Sequence, residues 1–104
     1  MEVKKASISA SRQRLLEQMQ ALNHGRIRNI LVRGGEPRLT PMASIERLVR
    51  FGGDNQPRAE MDLEDFALKS QVRELFECLD RMGEGLILKL EVKGGLPFDM
   101  IVGE

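Results

Sequence analysis

The stretch that most restricts how this chain can fold is Gly25 to Pro37, GRIRNILVRGGEP, because its pattern returns 60 residues later as GLILKLEVKGGLP, Gly85 to Pro97. In both, a glycine opens a run of strand-forming residues, a basic residue follows a valine, and Gly-Gly then stands one residue before a proline. The match extends backwards without a gap, pairing Leu15 with Leu75, Leu16 with Phe76, Glu17 with Glu77, Met19 with Leu79 and Leu22 with Met82. Eight positions are identical between 12–39 and 72–99. The repeated unit reads as helix, strand, turn, strand, over 9–40 and 63–102, with 41–62 as a connecting segment. Two copies of so long a period are not the array of short units that a solenoid needs. The expectation is one domain over 1–104 with an α+β fold in two layers: two helices packed on one face of an antiparallel sheet built from the duplicated helix-strand-strand unit.

A chain of 104 residues is long enough to bury a single core without disulfides or metals. Its 16 basic and 16 acidic residues balance, so the total charge does not point to nucleic acid or to a membrane surface. The distribution is more informative. Residues 1–60 hold 11 Lys and Arg against 6 Asp and Glu, and residues 61–104 hold 5 against 10, an asymmetry of the kind that accompanies charge-guided association. The single Cys78 excludes an internal disulfide, and no apolar run is long enough for a signal peptide or a membrane span. The reading is a cytoplasmic protein. Tryptophan and tyrosine are absent, so stacking platforms for single-stranded nucleic acid are scarce.

Along the chain, Ser7, Ser9 and Ser11 are candidate N-caps for a first helix whose Leu15, Leu16, Met19 and Leu22 form one apolar stripe. Gly25 is expected to supply the left-handed C-cap. Arg12 and Arg14 stand at the helix end where a cation is disfavoured, which marks a possible anion site. Strand one, Arg26 to Arg33, turns at Gly34-Gly35, and a two-residue loop pairs Arg33 with Glu36, as an outward salt bridge, Val32 with Pro37 and Ile30 with Leu39. In the second hairpin that loop would put Asp99 on the apolar face, so a longer loop or a bulge is preferred, pairing Val92 with Phe98, Leu90 with Met100 and Leu88 with Val102. Ile45 to Phe51 reads as a strand, with two helical turns opened by Ser44 as the alternative. Asp62, Glu64 and Asp65 suit the start of a second helix carrying Leu68, Val72, Leu75, Phe76, Leu79 and Met82 on one stripe. It stops at Gly83 or Gly85, and a last strand runs from Pro97 to Val102.

Catalytic patterns are sparse. Arg50-Phe51-Gly52-Gly53-Asp54 resembles the hairpin signature of diguanylate cyclases, which implies a metal and nucleotide site. Asn55 replaces the second acidic residue, Pro57 interrupts the strand, and an ordinary glycine turn is the preferred reading. His24, the only histidine, is read as a cation at a helix C-terminus, and Cys78 as a partly buried structural thiol. No metal-ligand spacing and no phosphate loop is present, so no cofactor and no metal are expected. A small enzyme site from Arg50, Asp54 and Arg58 ranks third among the function classes. Arg26, Arg28, Arg33, Arg38, Arg47, Arg50 and Arg58 form the candidate polyanion-binding set, since guanidinium suits bidentate phosphate contacts. Nucleic acid is therefore the second-ranked partner. First is self-association: with Ile30, Val32, Leu88, Leu90 and Val92 turned to the helices, Ile27, Leu31, Ile87 and Ile101 point away and leave an apolar patch. The leading expectation is a non-catalytic interaction module, homodimeric, with no membrane partner.

Overall fold

The computed structural model describes residues 8–52 and 70–103. Helix α1 (Ala10–Leu22) starts where Ser9, with extended backbone, accepts the Arg12 N–H on its hydroxyl at 3.3 Å, satisfying one of the first-turn donors. It buries Leu15, Leu16, Met19 and Leu22, and helix α2 (Ser70–Met82) buries Val72, Leu75, Phe76 and Leu79. The expected start of the second helix at Asp62, with Glu64, Asp65 and Leu68, lies outside the described residues.

Both helices end on a residue of positive φ. Gly83 has φ 65° and its N–H bonds Leu79 O at 3.1 Å. Asn23, rather than Gly25, takes this position after α1. Its φ of 66° and ψ of −62° form a γ-turn in which the His24 N–H reaches Leu22 O at 2.8 Å. Gly25 is needed for a different reason, since a Cβ there would run into the carbonyl oxygen of Glu46 on the neighbouring strand.

The five strands β1 (Gly25–Arg33), β2 (Glu36–Arg38), β3 (Ser44–Arg47), β4 (Glu84–Lys93) and β5 (Leu96–Gly103) form one antiparallel sheet. Its order is β2-β1-β4-β5, and β3 shares with β2 the outer edge of β1. The fold is α+β. The expected strand from Ile45 to Phe51 ends at Arg47. Both Gly-Gly turns are two-residue loops with positive φ at each glycine, so Arg33 faces Glu36 and Lys93 faces Leu96 across them. The second hairpin thus starts in the same register as the first, with Val92 opposite Pro97 rather than Phe98. An extra residue in β5 at Phe98 then brings Leu90 opposite Met100. A further one in β4 at Leu88 sets Ile87, not Leu88, opposite Val102. Of the pairings expected from a longer loop or a bulge only Leu90 with Met100 is formed, and a bulge, not a longer loop, produces it.

A second irregularity decides which side chains enter the core. Asn29 has φ 60°, and Arg28 and Asn29 both leave the core face while Ile27 and Ile30 both enter it. Opposite them, Leu88 and Lys89 leave while Ile87 and Leu90 enter. Ile27 and Ile87, expected on the far face, are fully buried, and Leu88, expected inside, is 41% exposed. The strict two-residue alternation fails once in each central strand, at the same level of the sheet. The core is a single cluster of α1, α2, β1 and β4 side chains, including Leu75, Leu79, Leu90 and Val92.

Two stability measurements follow. Leu79→Ala should cost about 2 to 5 kcal/mol in urea unfolding, and a loss under half a kilocalorie would contradict its burial. Asn23→Ala, which forces a less tolerant residue into the γ-turn, should cost about 1 to 3 kcal/mol, and an unchanged midpoint would show that the turn relaxes freely.

Candidate outer-face interface

The sheet has an inner face, lined by the core, and an outer face whose make-up follows from the register. Across the outer face Arg26 stands opposite Glu91, Arg28 opposite Lys89, Leu31 opposite Leu86 and Arg33 opposite Glu84. Beyond them β3 adds Glu46 beside Arg26, β2 adds Arg38 beside Leu31, and β5 adds Asp99 and Ile101 beside Glu91 and Lys89. The face is therefore zoned. At one end charges pair with each other: Glu46 meets Arg28 at 3.1 Å and Arg26 at 3.6 Å, and Lys89 meets Glu91 at 3.3 Å. The other end carries Leu31, Leu86 and Leu88, the last 41% exposed, and Ile101, 52% exposed, stands beside Lys89 between the two zones. An open groove runs over the three leucines, lined by Leu31, Arg33, Glu84, Leu86 and Leu88. Arg33 and Glu84 make no ion pair among the described residues, although they face each other across the strands.

Of the four residues expected to mediate self-association, Leu31 and Ile101 stand on the outer face. Ile27 and Ile87 belong to the core because of the irregularity at Asn29 and Leu88, and Leu86 and Leu88 take their place beside Leu31. Of the arginines, Arg26, Arg28, Arg33 and Arg38 share the outer face. Arg47 turns to the other side and donates to Leu22 O at 3.0 Å and Ala21 O at 3.3 Å, so its charge serves the carbonyl end of α1. Arg50 is exposed, whereas Arg58, with Asp54 and Gly53 of the diguanylate-cyclase-like run, lies outside the described residues.

The disfavoured cation of α1 has a partner within the chain. Arg12 donates to Asp80 at 2.5 Å and to Gly35 O at 3.0 Å, and its guanidinium lies 4.9 Å from the centre of the Phe76 ring. This places it between α2 and the first hairpin turn. Glu36 does not pair with Arg33 as expected but turns to the start of α1, where it accepts from the hydroxyls of Ser11 and Ser9. Those two bonds, helped by the nearby charges of Arg12 and Arg38 and outweighing partial burial, hold its carboxyl below the usual glutamate range. His24 acts as an acceptor, its Nδ1 taking the Gly94 N–H at 3.2 Å, and not as the helix-end cation expected. Cys78 is half-buried beside a small depression between α2 and β5, with Arg81 donating to its sulfur at 3.4 Å. Among the described residues no three His, Cys, Asp or Glu side chains gather into a group able to hold a metal, and no helix is long and apolar enough to cross a membrane.

The chain matches no protein-family model, no curated protein and no solved structure.

The Glu36 contacts give a pH test. A carboxyl whose folded pKa is depressed stabilises the fold above its unfolded pKa, about 4.3, and loses that contribution as pH falls through the folded value. Glu36→Gln should be less stable than the parent at pH 7, and the difference should shrink below about pH 4. A difference independent of pH would show that the charge contributes nothing.

Proposed function

We propose that this chain is a non-catalytic self-association module, a homodimer whose subunits meet across the outer face of the sheet. The observation that carries the reading is the apolar zone of Leu31, Leu86 and Leu88, with Ile101 at its border. Single exposed apolar residues are ordinary, but several contiguous ones rimmed by charge are the composition of an interface. A two-fold contact also suits a chain whose halves differ in charge, because it lets the basic half of one copy meet the acidic half of the other.

The same reading holds the chain to be a duplicated helix-strand-strand unit, with both helices covering the inner face. Its support is a set of contacts that exchange when residue numbers are shifted by 60. Gly35 N–H bonds Gly83 O at 2.9 Å, and Gly95 N–H bonds Asn23 O at 2.8 Å. The pair Ile27 and Leu90 likewise becomes the pair Ile87 and Ile30. Polyanion binding through Arg26, Arg28, Arg33 and Arg38 ranks second, since Glu46 already engages two of these guanidiniums and a phosphate chain would meet its carboxylate beside them.

Light scattering at tens of micromolar should give the mass of a dimer. Leu88→Lys and Ile101→Lys, which place a charge in the apolar zone or at its border, should give folded monomers, with unchanged circular dichroism. Ile87→Lys, by contrast, should unfold the chain, because that side chain is buried. A monomeric parent protein would overturn the reading.

A further inference from the structure

The outer face holds two kinds of charge. Arg26, Arg28, Glu46, Lys89 and Glu91 pair with one another within the chain, three cations sharing two carboxylates. Arg33 and Glu84, which flank the apolar zone, make no ion pair among the described residues and are both exposed. They stand in direct cross-strand register, and so do Leu31 and Leu86. That register limits how a second copy can lie on this face. A two-fold axis running along the strands, between β1 and β4, places each residue of β1 over the residue of the other copy that matches its own cross-strand neighbour. Arg33 then lies over Glu84 of the second copy, Leu31 over Leu86, Arg26 over Glu91, and Arg28 over Lys89, two cations that Glu46 and Glu91 of their own chains already engage. An axis across the strands would instead set one end of the face on the other end, the paired charges of Arg26 and Glu91 over the leucines. The desolvation of those ion pairs against an apolar zone opposes that arrangement.

We infer that the homodimer, on the reading that this face self-associates, is built about an axis parallel to β1 and β4, with two reciprocal Arg33 to Glu84 contacts side by side closing one end of a Leu31, Leu86 and Leu88 centre. Two charged contacts of this type at the rim of an apolar centre set orientation and exclude other partners.

Reciprocity gives a charge-exchange test by sedimentation or light scattering, with circular dichroism confirming the fold. Arg33→Glu alone sets two glutamates against two, Glu84→Arg alone sets two arginines against two, and each should weaken dimerisation by about tenfold or more. Combining both substitutions in one chain should restore it. An equimolar mixture of Arg33→Glu chains with Glu84→Arg chains should form a heterodimer tighter than either homodimer, because both cross contacts are then of opposite sign. If the single reversals dimerise like the parent while Leu88→Lys is monomeric, the face stands and this axis is overturned. If the parent itself is monomeric, the reading beneath it falls as well.

Discussion

Two backbone hydrogen bonds that cross the molecule hold its parts in place: Gly35 N–H to Gly83 O, and Gly95 N–H to Asn23 O. Each ties the end of one helix to the hairpin turn of the other half. A helix end leaves carbonyls without partners, a tight turn leaves amides without partners, and here each supplies what the other lacks. Gly35 and Gly95 are buried, so an unmade bond at either place would strand a polar group away from water. Arg12 reinforces the first junction by reaching Gly35 O and Asp80 together, and His24 reinforces the second through Gly94. The turns are thus sockets for the helices as well as reversals of the sheet, and the positive φ at both glycines is what points their amides at the helix ends.

Much of this architecture is legible in the residues. The apolar stripes of both helices, the two-residue turn of the first hairpin and a stop at Gly83, one of the two glycines offered for it, follow from periodicity and glycine placement, since burial and backbone sterics act locally there. The interior faces of β1 and β4 are harder to read because one rule, two-residue alternation, is broken once in each strand. The signal was nonetheless present: Ile27, Ile30 and Val32 repeat at Ile87, Leu90 and Val92 with a step of three and then of two, and Asn29 is a residue type that tolerates positive φ. Asn23 also took the role assigned to Gly25, because the tight contact with Glu46 claims Gly25 for the sheet.

The make-up of the outer face was legible in kind and not in membership. Alternation gave a face of apolar residues interspersed with charges, but a shift of one residue changes its occupants, so Ile27 and Ile87 exchange places with Leu86 and Leu88. The arginines were legible as a count and not by position. A count of guanidiniums does not say that Arg47 is directed at the carbonyls of α1 or that Arg26 and Arg28 share one carboxylate, both of which depend on β3 pairing along β1.

The division of one sheet edge between β2 and β3 has a bearing on how copies of this chain can meet. A strand that adds to a sheet needs an unbroken row of free amides and carbonyls, and on this side the row is interrupted by the residues from Leu39 to Ala43. On the opposite side, β5 is kinked by its extra residue at Phe98, and Pro97 contributes no amide at all. Neither border is a good template for continuing the sheet into a neighbour, which is how many small β-rich proteins guard against fibre growth. Contact between copies is thereby directed away from open-ended growth at the sheet borders and toward closed pairing across a face.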